Sequence, residues 1–260
     1  SDNLASALEA DESLDIADVA YTLAHGRRAM MHRRTLVVRD RLDAVAKLRE
    51  RDPKQVITDR AEDSRSKTIF MFPGGGAQYA SMGAELYELE DVYRDAIDEC
   101  LEIINPAIGR DLRPLMFSPA GEVEQATRTL EQPSLTLPSL FATEYALARL
   151  FESWGVTPEG FIGHSVGEYA AACMADVMSL EDALRLVMMR GRLFEIAERG
   201  GMLSVPLSET DLRALMPKEL DVAAANAPDL CVASGPVAAI EALQKILADR
   251  GVESTPVRIR

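Results

Sequence analysis

The chain has 260 residues, 47% of them apolar, and a formal charge of −14; this is enough for one large or two smaller cored domains, and too acidic for a nucleic-acid partner, which needs clustered Lys and Arg. No apolar run approaches the roughly 20 residues of a membrane span, so no membrane is expected as a partner. The acidic N-terminus, with Asp2, Glu9, Asp11 and Glu12, lacks a leader's basic-then-apolar pattern, and a cytoplasmic location is expected.

In chain order, the first periodic stretch is Ile16 to Ala24, where Ile16, Val19, Ala20 and Leu23 keep helical spacing behind Asp15 as N-cap. Gly26 stops it. Arg33 to Asp40 reads as a strand around Leu36, Val37 and Val38, and Leu42 to Leu48 as a second helix. The basic run of Arg27, Arg28, His32, Arg33, Arg34, Arg39 and Arg41 reads as a solvated face, with a docking surface for an acidic partner as the other option. Asp52 to Lys67 is charged, carries Pro53 and reads as a connector, so residues 1–66 should form a small mixed module.

A second unit opens with the apolar strand Thr68 to Phe72, which runs into Pro73, Gly74, Gly75 and Gly76. Leu140 to Trp154 predicts a long helix ended by Gly155. Phe161 and Ile162 then form a short strand into Gly163-His164-Ser165-Val166-Gly167, and Glu168 to Ala175 resumes as a helix of small residues. From Met202 the rhythm changes to strand Met202–Pro206, helix Glu209–Leu215, strands Val222–Ala225 and Leu230–Ser234, helix Val237–Ala248 and strand Ser254–Ile259. That βαββαβ order predicts a ferredoxin-like subdomain over 201–260, and the fold class is α/β. The three cysteines, Cys100, Cys173 and Cys231, are odd in number and widely spaced, which predicts buried free thiols and no metal site.

The strongest chemical signal is the pentapeptide around Ser165. Glycines on both sides allow a strained strand-to-helix turn that exposes the hydroxyl as a nucleophile, and the flanking strand and helix are legible. A tight turn in any α/β sheet is the plain alternative.

Phe72-Pro73-Gly74-Gly75-Gly76-Ala77-Gln78 and Gly163-His164-Ser165-Val166-Gly167-Glu168 together resemble the opening loop and nucleophile elbow of acyltransferases that load malonyl units onto carrier proteins, as embedded in type I modular polyketide synthases. The resemblance continues through Ser179–Leu184, Met189–Arg192, Gly200–Met202 and Ala225–Pro228, while Leu23–Arg28 and His32-Arg33 are similar to the linker that joins a ketosynthase to its acyltransferase. It implies a hydrolase-like core over 67–200 between the linker and the small subdomain.

The resemblance also assigns roles. Ser165 attacks the acyl-CoA thioester, and the phosphopantetheine thiol of an acyl carrier protein resolves the acyl-serine. The backbone N–H groups of Val166 and Gly75 form the oxyanion hole, with Gly75 standing where relatives often have glutamine. Arg190 grips the free carboxylate of malonyl-CoA through two parallel donors, and Gln78, His164, Met202 and Asn226 match positions near the substrate. No cofactor is expected on the domain itself; phosphopantetheine comes with the carrier protein, and a ketosynthase domain of the same polypeptide is a further partner. From the residues alone, Arg185, Arg190 and Arg192 are equal candidates for a surface arginine, and Met202 for core packing.

One departure stands out. His25 and His32 fall in the early module and His164 adjoins Ser165, so none of the three histidines suits the role of general base. The family's base is expected in a segment beyond Arg260, leaving the core incomplete, with an exposed sheet edge or apolar face, and the chain impaired. A serine hydrolase using the same elbow and a non-catalytic docking fragment are the rival readings, and the choice of malonyl over methylmalonyl stays open.

Overall fold

The computed structural model describes residues 1–61, 67–198 and 200–257. The chain divides into two compact units, Ser1–Ser66 and Lys67–Arg260.

The first unit comprises α1 (Asp2–Ala10), α2 (Ile16–His25), β1 (His32–Leu36), α3 (Arg41–Glu50) and β2 (Val56–Arg60). Asp15 caps α2 as the sequence predicts, its carboxylate accepting from the Ala17 and Asp18 N–H groups. A small core joins Ala5 and Leu8 of α1 to Ala44 and Leu48 of α3. Three elements depart from expectation, the first being β1, which ends at Leu36 and leaves Val37 and Val38 of the expected strand outside it. Helix α1 has only this short apolar spacing to announce it. Strand β2 lies inside the stretch read as a connector and pairs antiparallel with β1, from His32 opposite Arg60 to Leu36 opposite Val56. Only Val56 of that strand is buried, so it lacks the alternation that marks a half-buried strand. The remainder of the connector, 62–66, and the boundary placed there lie outside the described residues.

The second unit begins with β3 (Ile69–Phe72), followed by α4 (Ala84–Leu89), α5 (Asp91–Ile108), α6 (Arg113–Met116), α7 (Val123–Thr129), α8 (Pro133–Ser153), β4 (Gly160–Gly163), α9 (Gly167–Met174) and α10 (Leu180–Ile196). Helix α8 starts seven residues before the predicted Leu140, because Pro133 opens its first turn and Pro138 sits within it. Its residues from Leu135 to Ala146 are all buried, which is the pattern of a central helix rather than of a one-faced surface helix.

Strands β3 and β4 are parallel, with Ile69 opposite Gly160 and Phe72 opposite Gly163. One face of this pair carries Phe70, Phe72 and Phe161, whose rings meet one another and Phe151 of α8 at 6.1–6.3 Å between centroids. The other face carries Ile69, Met71 and Ile162, which are 51%, 76% and 53% exposed.

A four-stranded antiparallel sheet closes the unit: β5 (Gly200–Val205), α11 (Glu209–Leu215), β6 (Asp221–Ala227), β7 (Leu230–Pro236), α12 (Val237–Ala248) and β8 (Thr255–Val257), in the order β6-β7-β5-β8. Its helices and sheet share a core built on Leu203, Val205, Leu212, Leu243 and Leu247. The last predicted strand is shorter than expected among the described residues, and 258–259 lie outside them. All three thiols are buried, and burial pushes Cys173 up to about 11. No described helix is long and apolar enough to cross a membrane.

Candidate active site

Phe72 and Gly163 are register partners at the C-terminal ends of β3 and β4, so the chain leaves the sheet twice at one place. The His164 N–H extends the ladder by donating to the Phe72 carbonyl at 2.9 Å. Ser165 then turns the chain with φ of 54°, a left-handed conformation that costs a residue with a Cβ roughly 1 kcal/mol or more. The Gly167 N–H returns to the His164 carbonyl at 3.0 Å and the Glu168 N–H to that of Ser165 at 3.2 Å, and α9 begins.

Three glycines make this turn possible. A Cβ on Gly163 would strike the backbone of Gly167 and Glu168, and one on Gly167 the carbonyl oxygens of Phe72 and Pro73. On Gly74 it would lie 2.7 Å from His164 Nδ1 and 3.2 Å from Ser165 Cβ. The glycine loop and the elbow therefore touch backbone to backbone, which brings Gly74 and Ser165 together although they lie far apart in sequence.

Val166 stands at the N-cap of α9 with its side chain fully buried, which fixes its peptide at the positive end of the helix. Its N–H is one of those that no residue of the helix itself can accept. Gly75 is exposed, and a Cβ there would meet nothing nearer than Leu137 Cδ2 at 4.0 Å. The position has room for a Cβ. Gly76 needs its glycine, with φ of 108°, and donates its N–H to Gln78 Oε1 at 2.7 Å. Gln78 thus folds its amide back to hold the loop.

Among the three clustered arginines the structure makes a clear distinction. Arg185 pairs with Glu181 one turn earlier, and Arg192 donates to the Ala107 carbonyl. Arg190 makes no ion pair among the described residues. Its Nη2 lies 3.5 Å from Ser165 Oγ and its Nη1 3.3 Å from the Tyr169 hydroxyl. Its guanidinium carbon also sits 5.7 Å from the Tyr169 ring centre and 5.3 Å from that of Phe194. A cation held only by neutral groups, beside an exposed serine, is free to receive an anion.

The remaining candidates are less directly placed. His164 is exposed with its ring beside Gly74, and among the described residues it makes no hydrogen bond to Ser165 Oγ. Met202 is partly buried on β5 opposite Ser234 and Val257, and Asn226 is exposed on β6. No polar contact among the described residues joins either to Ser165 or Arg190. Tyr169 and Phe194 escape a reading of the sequence alone. Their signal is spacing, since Phe194 follows Arg190 by four residues, one turn of α10, and Tyr169 lies in the first turn of α9, four residues after Ser165. A cavity of about 540 Å³, lined by Pro158, Phe161, Ala171 and Ala175 among others, lies toward the opposite end of β4.

Comparisons with known proteins identify the family of the chain. The acyl transferase domain family matches residues 69–259, and a polyketide synthase C-terminal family typified by CurL matches residues 1–48. The chain is 36% identical over 270 residues to one component of the phenolphthiocerol/phthiocerol polyketide synthase of Mycobacterium tuberculosis, with 98% of this chain and 18% of that protein covered. It is 38% identical over 243 residues to polyketide synthase GfsA of Streptomyces halstedii, covering 90% of this chain and 3% of that one. Among solved structures, the acyl transferase domain of ZmaA superposes with a TM-score of 0.88 at 37% identity, covering 99% of this chain and 60% of that chain. The acyl transferase domain of SpnD, solved in complex with 2-(pent-4-yn-1-yl)malonyl, gives 0.83 at 37% identity with the same coverage. The chain thus spans a small part of its curated relatives and about 60% of these solved domains. With a family model matched from the glycine-loop strand to the last strand of the small sheet, the chain belongs to the acyl transferase domain family found in polyketide synthases.

Proposed function

We propose that this chain transfers a malonyl-type acyl group from coenzyme A to the phosphopantetheine thiol of an acyl carrier protein, through an ester on Ser165. The observation that carries the reading is the approach of Arg190 Nη2 to within 3.5 Å of Ser165 Oγ. A malonyl ester on Ser165 places its free carboxylate one methylene beyond the ester carbonyl, within reach of the guanidinium. The SpnD domain, solved with a substituted malonyl group, supports the substrate class.

In the first half-reaction Ser165 Oγ attacks the thioester carbonyl as its proton passes to a base. Charge gathers on the carbonyl oxygen, where the N–H groups of Val166 and Gly75 are the donors we assign, each worth about 3 kcal/mol in such sites. The tetrahedral intermediate collapses, the C–S bond breaks and coenzyme A leaves as its thiol, taking up the proton. The carrier thiol then attacks the ester by the same steps in reverse, and Ser165 recovers its proton. The base is not Arg190, which carries no lone pair to accept a proton. We assign it to a histidine of the longer polypeptide.

The fold reading accompanies this one. We take 1–66 as the linker from a ketosynthase domain, 67–200 as part of a hydrolase-like core and 201–260 as a ferredoxin-like subdomain, supported by the β6-β7-β5-β8 antiparallel order. Incubation with malonyl-CoA followed by intact-mass analysis tests the function. In a polypeptide extended to the full domain length of the solved relatives, a malonyl adduct on Ser165 that discharges onto a carrier protein is expected, and a slow trace at most in the 260-residue chain. Rapid release of free malonate without transfer would instead identify a hydrolase.

A further inference from the structure

Arg190 has an aromatic surround whose consequence is testable. The side chain is partly buried and unpaired with any carboxylate among the described residues, so something other than an ion pair must fix where it points. Two residues on two helices meet that need. Tyr169 on α9 accepts from Nη1 through its hydroxyl at 3.3 Å and offers its ring 5.7 Å from the guanidinium carbon. Phe194 on α10 offers a second ring at 5.3 Å.

We propose that Tyr169 and Phe194 are positioning residues that aim the Arg190 guanidinium at the acyl group on Ser165, and so set the preference for acyl groups ending in a carboxylate. The inference rests on the reading of Arg190 as the carboxylate grip and extends it to residues that touch no substrate. An arginine has high rotamer freedom, and a floppy guanidinium loses that freedom again each time it binds. Here a neutral hydroxyl occupies Nη1 and leaves Nη2 toward Ser165, while the ring faces attract the cation without neutralising it. A carboxylate in the place of the Tyr169 hydroxyl would hold the arginine as well but compete with the substrate. Because Tyr169 lies in the first turn of α9, directly after the elbow that carries Ser165, the helix start that follows the nucleophile also places the arginine's partner.

The test uses the acyltransferase at the full domain length of its solved relatives, with malonyl-CoA and acetyl-CoA compared. Tyr169→Phe keeps the ring and removes only the acceptor, so it should lower kcat/KM for malonyl-CoA about fivefold, mostly through KM, with acetyl transfer unchanged. Phe194→Leu should lower malonyl transfer by roughly threefold to tenfold, and Phe194→Tyr should restore it. Neither substitution should alter the malonyl-to-acetyl ratio further in an Arg190→Ala background. Equal losses on both substrates, no loss at all, or the same loss in the Arg190→Ala background would overturn the positioning role. If Arg190→Ala itself lowered both substrates equally, the carboxylate-grip reading would fall instead, and the two failures are thereby distinguished.

Discussion

A methyl group added to Gly167 would sit 2.5 Å from the carbonyl oxygen of Pro73. Neither partner is a side chain, so no change of rotamer relieves the overlap, and the start of α9 or the glycine loop has to move. Gly167→Ala should lower the stability measured by chemical denaturation by about 2–3 kcal/mol, and Gly163→Ala, which strikes the backbone of Glu168, by a similar amount. Gly75 is exposed, and an added Cβ has only Leu137 at 4.0 Å to meet, so Gly75→Ala should stay within about 0.5 kcal/mol of the parent. An unchanged midpoint for Gly167→Ala would mean that loop and elbow separate without cost.

Arg190 is the second point at which one substitution discriminates. Arg190→Ala in the full-length domain should cut malonyl transfer about a hundredfold or more and leave acetyl transfer within a few fold, since only malonyl carries the second carboxylate. Arg190→Lys should recover little, because a point charge replaces a planar fork and loses the stacking on Tyr169 and Phe194. Steady-state kinetics with both thioesters decide the matter, and parallel losses would remove Arg190 from the site.

Much of this site is legible in the sequence because its signals are local. The elbow needs glycines within five residues, and the βαββαβ succession after Met202 shows in alternating periods, so both fall within a residue or two of where the pattern puts them. What stays hidden depends on tertiary packing. Proline is a poor helix former in general, yet Pro133 opens α8, Pro138 lies within it, and burial on every side stabilises the helix. Strand β2 carries its weak pattern only because β1 pairs with it. Arg185, Arg190 and Arg192 are indistinguishable in sequence, and the structure separates them by giving two of them other partners.

Glu144 gives the second unit a pH dependence. It is 6% exposed on α8, neither carboxylate oxygen has a hydrogen-bond partner among the described residues, and burial pushes its pKa from 4.5 up to about 8. Between those two values the folded protein holds a proton that the unfolded chain releases, so stability falls as pH rises from about 4.5 to about 8 and levels off above. Glu144→Gln removes the titration. Its stability relative to the parent should therefore grow with pH by roughly 4 kcal/mol across that window, as read from urea midpoints at about pH 5 and pH 8.5. Parallel pH profiles for the two proteins would show that Glu144 finds a partner in solution.

The bare face of the β3–β4 pair leads to the last prediction. Parallel strands are ordinarily covered on both sides, and here Met71 and Ile162, which are register partners, stand 76% and 53% exposed while Phe72 on the other face is 6% exposed. In this 260-residue chain, replacing the exposed pair by Met71→Lys with Ile162→Glu buries no charge and sets opposite charges side by side, so stability should change by less than about 0.5 kcal/mol. Binding of a hydrophobic dye such as ANS should drop at the same time, because the apolar patch is gone. Phe72→Ala is the contrast, with an expected loss of about 3–5 kcal/mol from the packed face. If further polypeptide covers the Met71 and Ile162 face in the full-length domain, the same charged pair should cost several kcal/mol there, since both charges would then be desolvated. A full-length domain as indifferent to the pair as the 260-residue chain would show that this face stays open to solvent.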